Sequence, residues 1–253
     1  MIPLEIRKVQ TSRGWRWIAE GARIFRRNPP QWLLLITILF VGSRVLLLIP
    51  LAGVLAVLVA PHFLAGLAHG AQALEEGKPL RFGYLISGFL KGAAPLVTVG
   101  GISLIGQFLT LMVIMLVGGE ALRVITATMA SGVATPATVE AVRAAAPQIL
   151  VAVMIGFVVS LPLMLAVWFA PLLVFFDEIK PLHALFLSLL ACARNTMPLL
   201  VYGMILLAPV MVLTPLSMAA RMPDLGFWLL APVMVPSIYA SYRDLFVTTV
   251  AQH

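Results

Sequence analysis

Acidic side chains and cysteine are the scarce components of this chain. Ten Asp and Glu are spread over 253 residues, and Cys192 is the single cysteine. One thiol excludes an intramolecular disulfide and a cysteine-built metal cluster. Charged residues of both signs make up only 11%, less than half the share usual in water-soluble domains. The sequence contains no phosphate loop, HExxH, GxSxG or paired-carboxylate motif, so it names no reaction and implies no cofactor.

Hydrophobic residues fill this gap, at 61% of the chain and a mean hydropathy of +1.04. A soluble core cannot use so much apolar surface, so hydrocarbon is the solvent for most of it. A spanning helix needs roughly 20 apolar residues, and six stretches meet that length. They run over about 31–49, 51–74, 93–117, 148–176, 196–220 and 225–247, with a tight turn near Pro50. The reading is all-α: one polytopic membrane domain over 1–253, with no separate soluble domain. Pro162 and Pro171 predict a kink or tilt in span four. Seven Lys and Arg precede the first long apolar run and no small-residue cleavage site follows it, which argues against a cleavable signal peptide.

An even number of spans puts both termini on one side. If that side is cytoplasmic, 13 of the 17 Lys and Arg face the cytoplasm, and the positive-inside rule selects this orientation. A bacterial inner-membrane protein with both termini inside is therefore expected. The segment 118–147 then lies outside, read as a compact lid containing a short helix from Thr138 to Ala146. The net charge of +7 clusters beside apolar spans, which points to anionic lipid headgroups as partner and away from nucleic acid.

Punctuation repeats along the chain. Lys78-Pro79-Leu80 opens a short amphipathic run before span three, and Lys180-Pro181-Leu182 opens another before span five. Arg194-Asn195 echoes Arg27-Asn28, and Pro61, Pro171 and Pro236 sit in the even spans. The pattern predicts three parallel units: a cytoplasmic interfacial segment at 1–29 with a hairpin at 31–74, an interfacial helix with a hairpin over 79–176, and the same over 181–250. The first interfacial helix is Arg13–Arg27. At 100° per residue, Arg16, Glu20, Arg23 and Arg27 form a narrow stripe. Trp15, Ile18, Ala22 and Phe25 form a wide opposing face, with Trp17 and Ile24 at its flank. Either this face lies in the headgroup layer, or it docks on the spans. Arg13, Arg16, Arg23, Arg26 and Arg27 are the expected contacts to anionic lipid.

Ionisable and polar groups at membrane depth are costly, so each is a candidate site. Arg44 lies near the outer end of span one, where snorkelling accounts for it. His62 and His69 lie seven residues apart on one face of span two, and Gln107 lies mid-span in span three. A His62–Gln107 hydrogen bond is geometrically feasible. No carboxylate reaches midplane: Glu75, Glu76, Asp177 and Glu178 stand at span ends, and Arg243-Asp244 reads as an exposed pair. That weakens a case for proton or sodium coupling. Gly100-Gly101, Gly106 and Gly118-Gly119 suit close helix packing.

Several strings together resemble a known group. They are Gly14-Trp15 with Phe25-Arg26-Arg27-Asn28-Pro29, Ala60-Pro61, Phe169-Ala170-Pro171-Leu172, Ala191-Cys192-Ala193-Arg194-Asn195, and Tyr239-Ala240-Ser241-Tyr242-Arg243-Asp244-Leu245-Phe246. The chain resembles a family of uncharacterised six-span inner-membrane proteins of Gram-negative bacteria that carry a C-terminal YASYRDLF-like motif. The resemblance implies a bacterial inner-membrane location and supplies no catalytic position. Two functional readings follow. One is a non-enzymatic scaffold or accessory subunit, meeting a membrane-protein partner or a second copy of itself. The other is a small-molecule or lipid transporter with a midplane polar site around His62 and Gln107.

Replacing Arg16, Arg23 and Arg27 together by Glu is expected to remove lipid attraction of roughly 1 kcal/mol per charge. The change should show as altered accessibility of the termini or a lost preference for anionic vesicles. Unaltered values of both would refute the interfacial reading.

Overall fold

The computed structural model describes residues 4–46, 48–49, 51–131, 135–222 and 225–248. In chain order the elements are β1 (Leu4–Ile6), α1 (Arg13–Arg27), α2 (Pro29–Leu46), α3 (Ala52–Glu75), α4 (Tyr84–Leu90) and α5 (Ala93–Ser131). They continue with α6 (Pro136–Phe176), α7 (Pro181–Arg194), α8 (Thr196–Ala219), α9 (Leu225–Leu245) and β2 (Phe246–Thr248). Among the described residues six helices, α2, α3, α5, α6, α8 and α9, are long and apolar enough to cross a membrane. Each successive pair of them is preceded by a shorter helix, α1, α4 or α7. The expected turn at Pro50 lies outside the described residues.

The chain divides into two compact units. The first comprises Met1–Gly101 and Leu165–His253, the second Ile102–Met164. In the first, α9 and α3 are the central spans: 61% and 39% of their apolar windows are buried, against 6% for α8. The largest fully buried side chains are Trp17, Trp32, Tyr202 and Phe169. Trp17 meets Tyr202 edge-to-face at 6.0 Å, so the amphipathic helix, not the spans alone, builds the core.

Glycine sets how closely α1 docks. Its buried positions are Gly14, Trp17, Gly21 and Ile24, one stripe of the helix. A Cβ on Gly21 would lie 2.6 Å from both Cβ and N of Ser237 in α9, and one on Gly14 would lie 2.9 Å from the Tyr202 amide in α8. The expected apolar face is a different one. Trp15 is 57% exposed, and Ile18, Ala22 and Phe25 are half-buried. The helix docks through its glycine-lined flank because only there can the backbones approach.

The second unit is an antiparallel helix pair. Gly106 faces Leu163, Gly118 faces Ala152 and Gly156 faces Ile114, which is small-residue packing between helices. Gly101 and Gly119, expected to pack likewise, meet nothing within 4 Å at a built Cβ. The compact lid over 118–147 is not what forms. Helices α5 and α6 continue to Ser131 and from Pro136, at 39 and 41 residues. The Ala- and Thr-rich sequence past Val117 contains no proline until Pro136, so the helix propagates.

Two further departures are local. Span six stops at Leu245, and Phe246–Thr248 pairs antiparallel with Leu4–Ile6, Ile6 opposite Phe246. The Arg7 amide donates to Leu245 O at 2.8 Å. In α6 the Ser188 hydroxyl from α7 accepts from the Phe169 amide at 3.0 Å and donates to Leu165 O at 2.7 Å. Both groups belong to one rung of the α6 ladder, so a side chain from α7 bonds the α6 backbone two residues before Pro171.

Gly21→Ala is expected to destabilise the protein by about 1–3 kcal/mol through overpacking. Gly42→Ala, where a Cβ meets nothing within 4 Å, is expected to change little. Thermal unfolding in detergent compares them, and equal melting of the two variants would refute the docking account.

Candidate functional site

The polar centre of the first unit is at the end of α9. Asp244 is 8% exposed and collects donors from the N-terminal region. Arg13 Nε donates to its Oδ2 at 2.6 Å and Trp17 Nε1 donates to the same oxygen at 2.9 Å. Arg7 approaches Oδ1 at 3.6 Å. Arg13 also reaches Glu20 at 3.6 Å. Arg243 then links Glu20 of α1, at 3.3 Å, to Glu75 at the end of α3. A chain of alternating charges thus ties α1 to α9 and α3. Its buried part dominates: exposed pairs contribute under about 1 kcal/mol each, whereas a buried carboxylate stripped of its partners is strongly destabilising.

Arg243-Asp244 is therefore not the exposed pair expected from sequence. Burial separates the two, with Asp244 inward and Arg243 outward, because they are successive residues of a helix. The last turns of α9 before Arg243, Ser237 to Tyr242, are all buried.

Asn195, between α7 and α8, is a second anchor. Its Oδ1 accepts from the Val9 amide at 2.9 Å, and Nδ2 donates to Arg7 O and Ala191 O, each at 3.0 Å. The side chain is 1% exposed. It holds the segment between β1 and α1 in place.

The two histidines of α3 both face α4. Gly66, Gly70 and Gly88 bring these helices together; a Cβ on Gly66 would meet Leu85 O at 3.0 Å. His62 Nε2 donates to Ala93 O at 3.0 Å, and its ring stacks on Phe89 at 4.5 Å. It is 1% exposed, and Nδ1 is buried without a hydrogen-bond partner. His69 Nδ1 lies 3.2 Å from Ser87 Oγ. Because Ser87 donates its proton to Tyr84 O at 2.9 Å, the histidine is the donor in that contact. Gln107 is exposed and donates to Ser103 Oγ at 3.3 Å. His62 belongs to the first unit and Gln107 to the second. Arg44 lies over the Phe40 ring at 5.3 Å.

Asp177, just past α6, accepts a hydrogen bond from Tyr242. Burial raises its pKa, against the opposing pull of that hydrogen bond and of Lys91. Cys192 is buried, and desolvation pushes its thiol up to about 12, only partly offset by a hydrogen bond with Ser188. A thiol so held is inert at neutral pH. Among the described residues no group of three or more His, Cys, Asp or Glu is placed to hold a metal.

Of the five arginines expected at lipid, Arg13 is engaged by Asp244 and Glu20. Arg27 donates to Leu74 O at the end of α3. Arg16, Arg23 and Arg26 are exposed.

Asp244→Ala is expected to cost about 3 kcal/mol, since it strands the Arg13 and Trp17 donors. Unfolding in detergent reads the loss, and a wild-type midpoint would contradict the role given to Asp244.

Among known proteins, the chain is 27% identical to a protein of Burkholderia thailandensis described as "Probable inner membrane protein", over 262 aligned positions that cover 96% of this chain and 94% of the other. No family model matches. No solved structure matches either.

Proposed function

We propose that this chain is a non-enzymatic, multi-pass protein of the bacterial inner membrane, acting as a scaffold or accessory subunit of a membrane assembly. Six apolar helices and the description of the Burkholderia relative support the location. The excess of Lys and Arg on one side supports cytoplasmic termini.

The observation that carries the scaffold reading is the polar lock on α1. The buried carboxylate of Asp244 and the amide of Asn195 are spent on fastening the N-terminal region to the ends of the spans. The stripe of Gly14, Trp17, Gly21 and Ile24 is thereby held on protein. A neighbouring face presents Trp15, Ile18, Ala22 and Phe25, flanked by exposed Arg16, Arg23 and Arg26. An apolar face bordered by guanidinium groups suits a headgroup layer rich in anionic lipid. A rigidly held platform at the membrane surface is what an assembly subunit needs. One observation favours the transporter reading: His62 Nδ1 is buried and unpartnered inside a span, where a ligand donor would satisfy it.

Copurification from native membranes separates the two. A scaffold retains a membrane-protein partner or a second copy at fixed stoichiometry. A monodisperse single chain, with no partner after mild solubilisation, would refute it. Single-cysteine reporters placed near the termini test orientation on the same preparations, because native Cys192 is buried and does not compete for label.

A further inference from the structure

The dipeptide Arg-Asn closes both α1 and α7, yet the two asparagines have different surroundings. Asn195 is covered by the chain's own segment, whose Arg7 and Val9 backbone groups take up its side chain. Asn28 has only its oxygen engaged, accepting from the Gln31 amide at 3.4 Å. Beside it lies a groove of about 360 Å³ lined by Arg27, Asn28, Leu74, Gly77, Lys78 and Pro79. The groove is open to the surface over much of its extent.

The groove's chemistry is one-sided. Arg27, Asn28 and Lys78 are donors. Arg27 spends one nitrogen on Leu74 O, which offsets the negative end of the α3 dipole and leaves its other N–H groups to the groove. Lys78 pairs with Glu76 at 2.5 Å, but both side chains are exposed to solvent, where such a pair contributes little. Gly77 adopts φ 77° and turns the chain at the end of α3 without a side chain over the groove. Leu74 and Pro79 supply apolar surface. The height in the membrane is set as well: α2 begins at Pro29 and α3 ends at Glu75, so the groove sits where two spans leave the hydrocarbon.

We propose that this groove binds the phosphate of an anionic membrane phospholipid, held by Arg27, Asn28 and Lys78, with the acyl chains running beside α2 and α3. It rests on the membrane placement proposed above, but not on the scaffold role. It also differs from diffuse attraction to the arginines of α1, because it requires Lys78, which belongs to another element.

The test is native mass spectrometry of the full chain in detergent, titrated with phosphatidylglycerol or phosphatidylcholine. Retention of one phosphatidylglycerol in preference to phosphatidylcholine is expected. Lys78→Gln should weaken that preference about fivefold, the equivalent of roughly 1 kcal/mol for one cation. Arg27→Gln should act similarly; should it unfold the protein by freeing Leu74 O, the exposed Lys78 still decides. Arg16→Gln, about three turns from Arg27 along α1 and outside the groove lining, should leave the single retained lipid in place. Equal retention of the two lipids, or indifference to Lys78→Gln, overturns the proposal. Loss on Arg16→Gln but not on Lys78→Gln would leave only the diffuse contact of α1. Binding of inorganic phosphate without retention of phosphatidylglycerol would assign the groove to a soluble anion and likewise overturn it.

Discussion

One buried carboxylate organises the better-packed unit of this protein. Asp244 has little water of its own and would be strongly unfavourable there without charge-assisted donors. Arg13 and Trp17 supply them from the other end of the sequence. Because the requirement is mutual, the first helix and the last helix specify each other's position. The short β1–β2 pairing and the Asn195 hydrogen bonds complete the same closure. Burial of Trp17 against Tyr202 adds apolar contact, yet contact alone would not select a register. The carboxylate does.

Close approach is the second constraint, and glycine meets it. Helices in a bilayer gain little from hiding apolar surface, since lipid is as apolar as they are. They associate where backbones come near enough for dispersion and hydrogen bonds. Gly14 and Gly21 do this for α1. Gly66, Gly70 and Gly88 do it for α3 and α4. Once α4 is that close, His62 and His69 find carbonyl and hydroxyl partners on or beside it. The histidines thus act first as fasteners between helices, a role that does not use the unpartnered Nδ1 of His62.

The spans were legible because hydropathy is a one-dimensional property. Their boundaries followed within a few residues at several ends, as at Thr196 and Leu225. They failed between Val117 and Gln148, where α5 and α6 run on as helices past Glu120, Arg123, Glu140 and Arg143, because charge ends an apolar window without ending a helix. The amphipathic Arg13–Arg27 helix was legible for the same reason. Which of its faces docks was not: a helical wheel ranks side chains by polarity, whereas docking was decided by the absence of side chains at Gly14 and Gly21. Asp244 and Asn195 were illegible as anchors because their partners lie more than 180 residues away.

The sequence by itself determined that lipid is the solvent, how many helices can cross it, and where the positive charge gathers. Each of these depends on composition within a window of about 20 residues. Only the tertiary structure decided which polar groups are satisfied by protein and which remain open, because that depends on contacts between segments far apart in the chain. Arg13 and Arg27 show the difference. They are alike in sequence, but one is held by a buried carboxylate, while the other caps a helix end at the rim of an open groove.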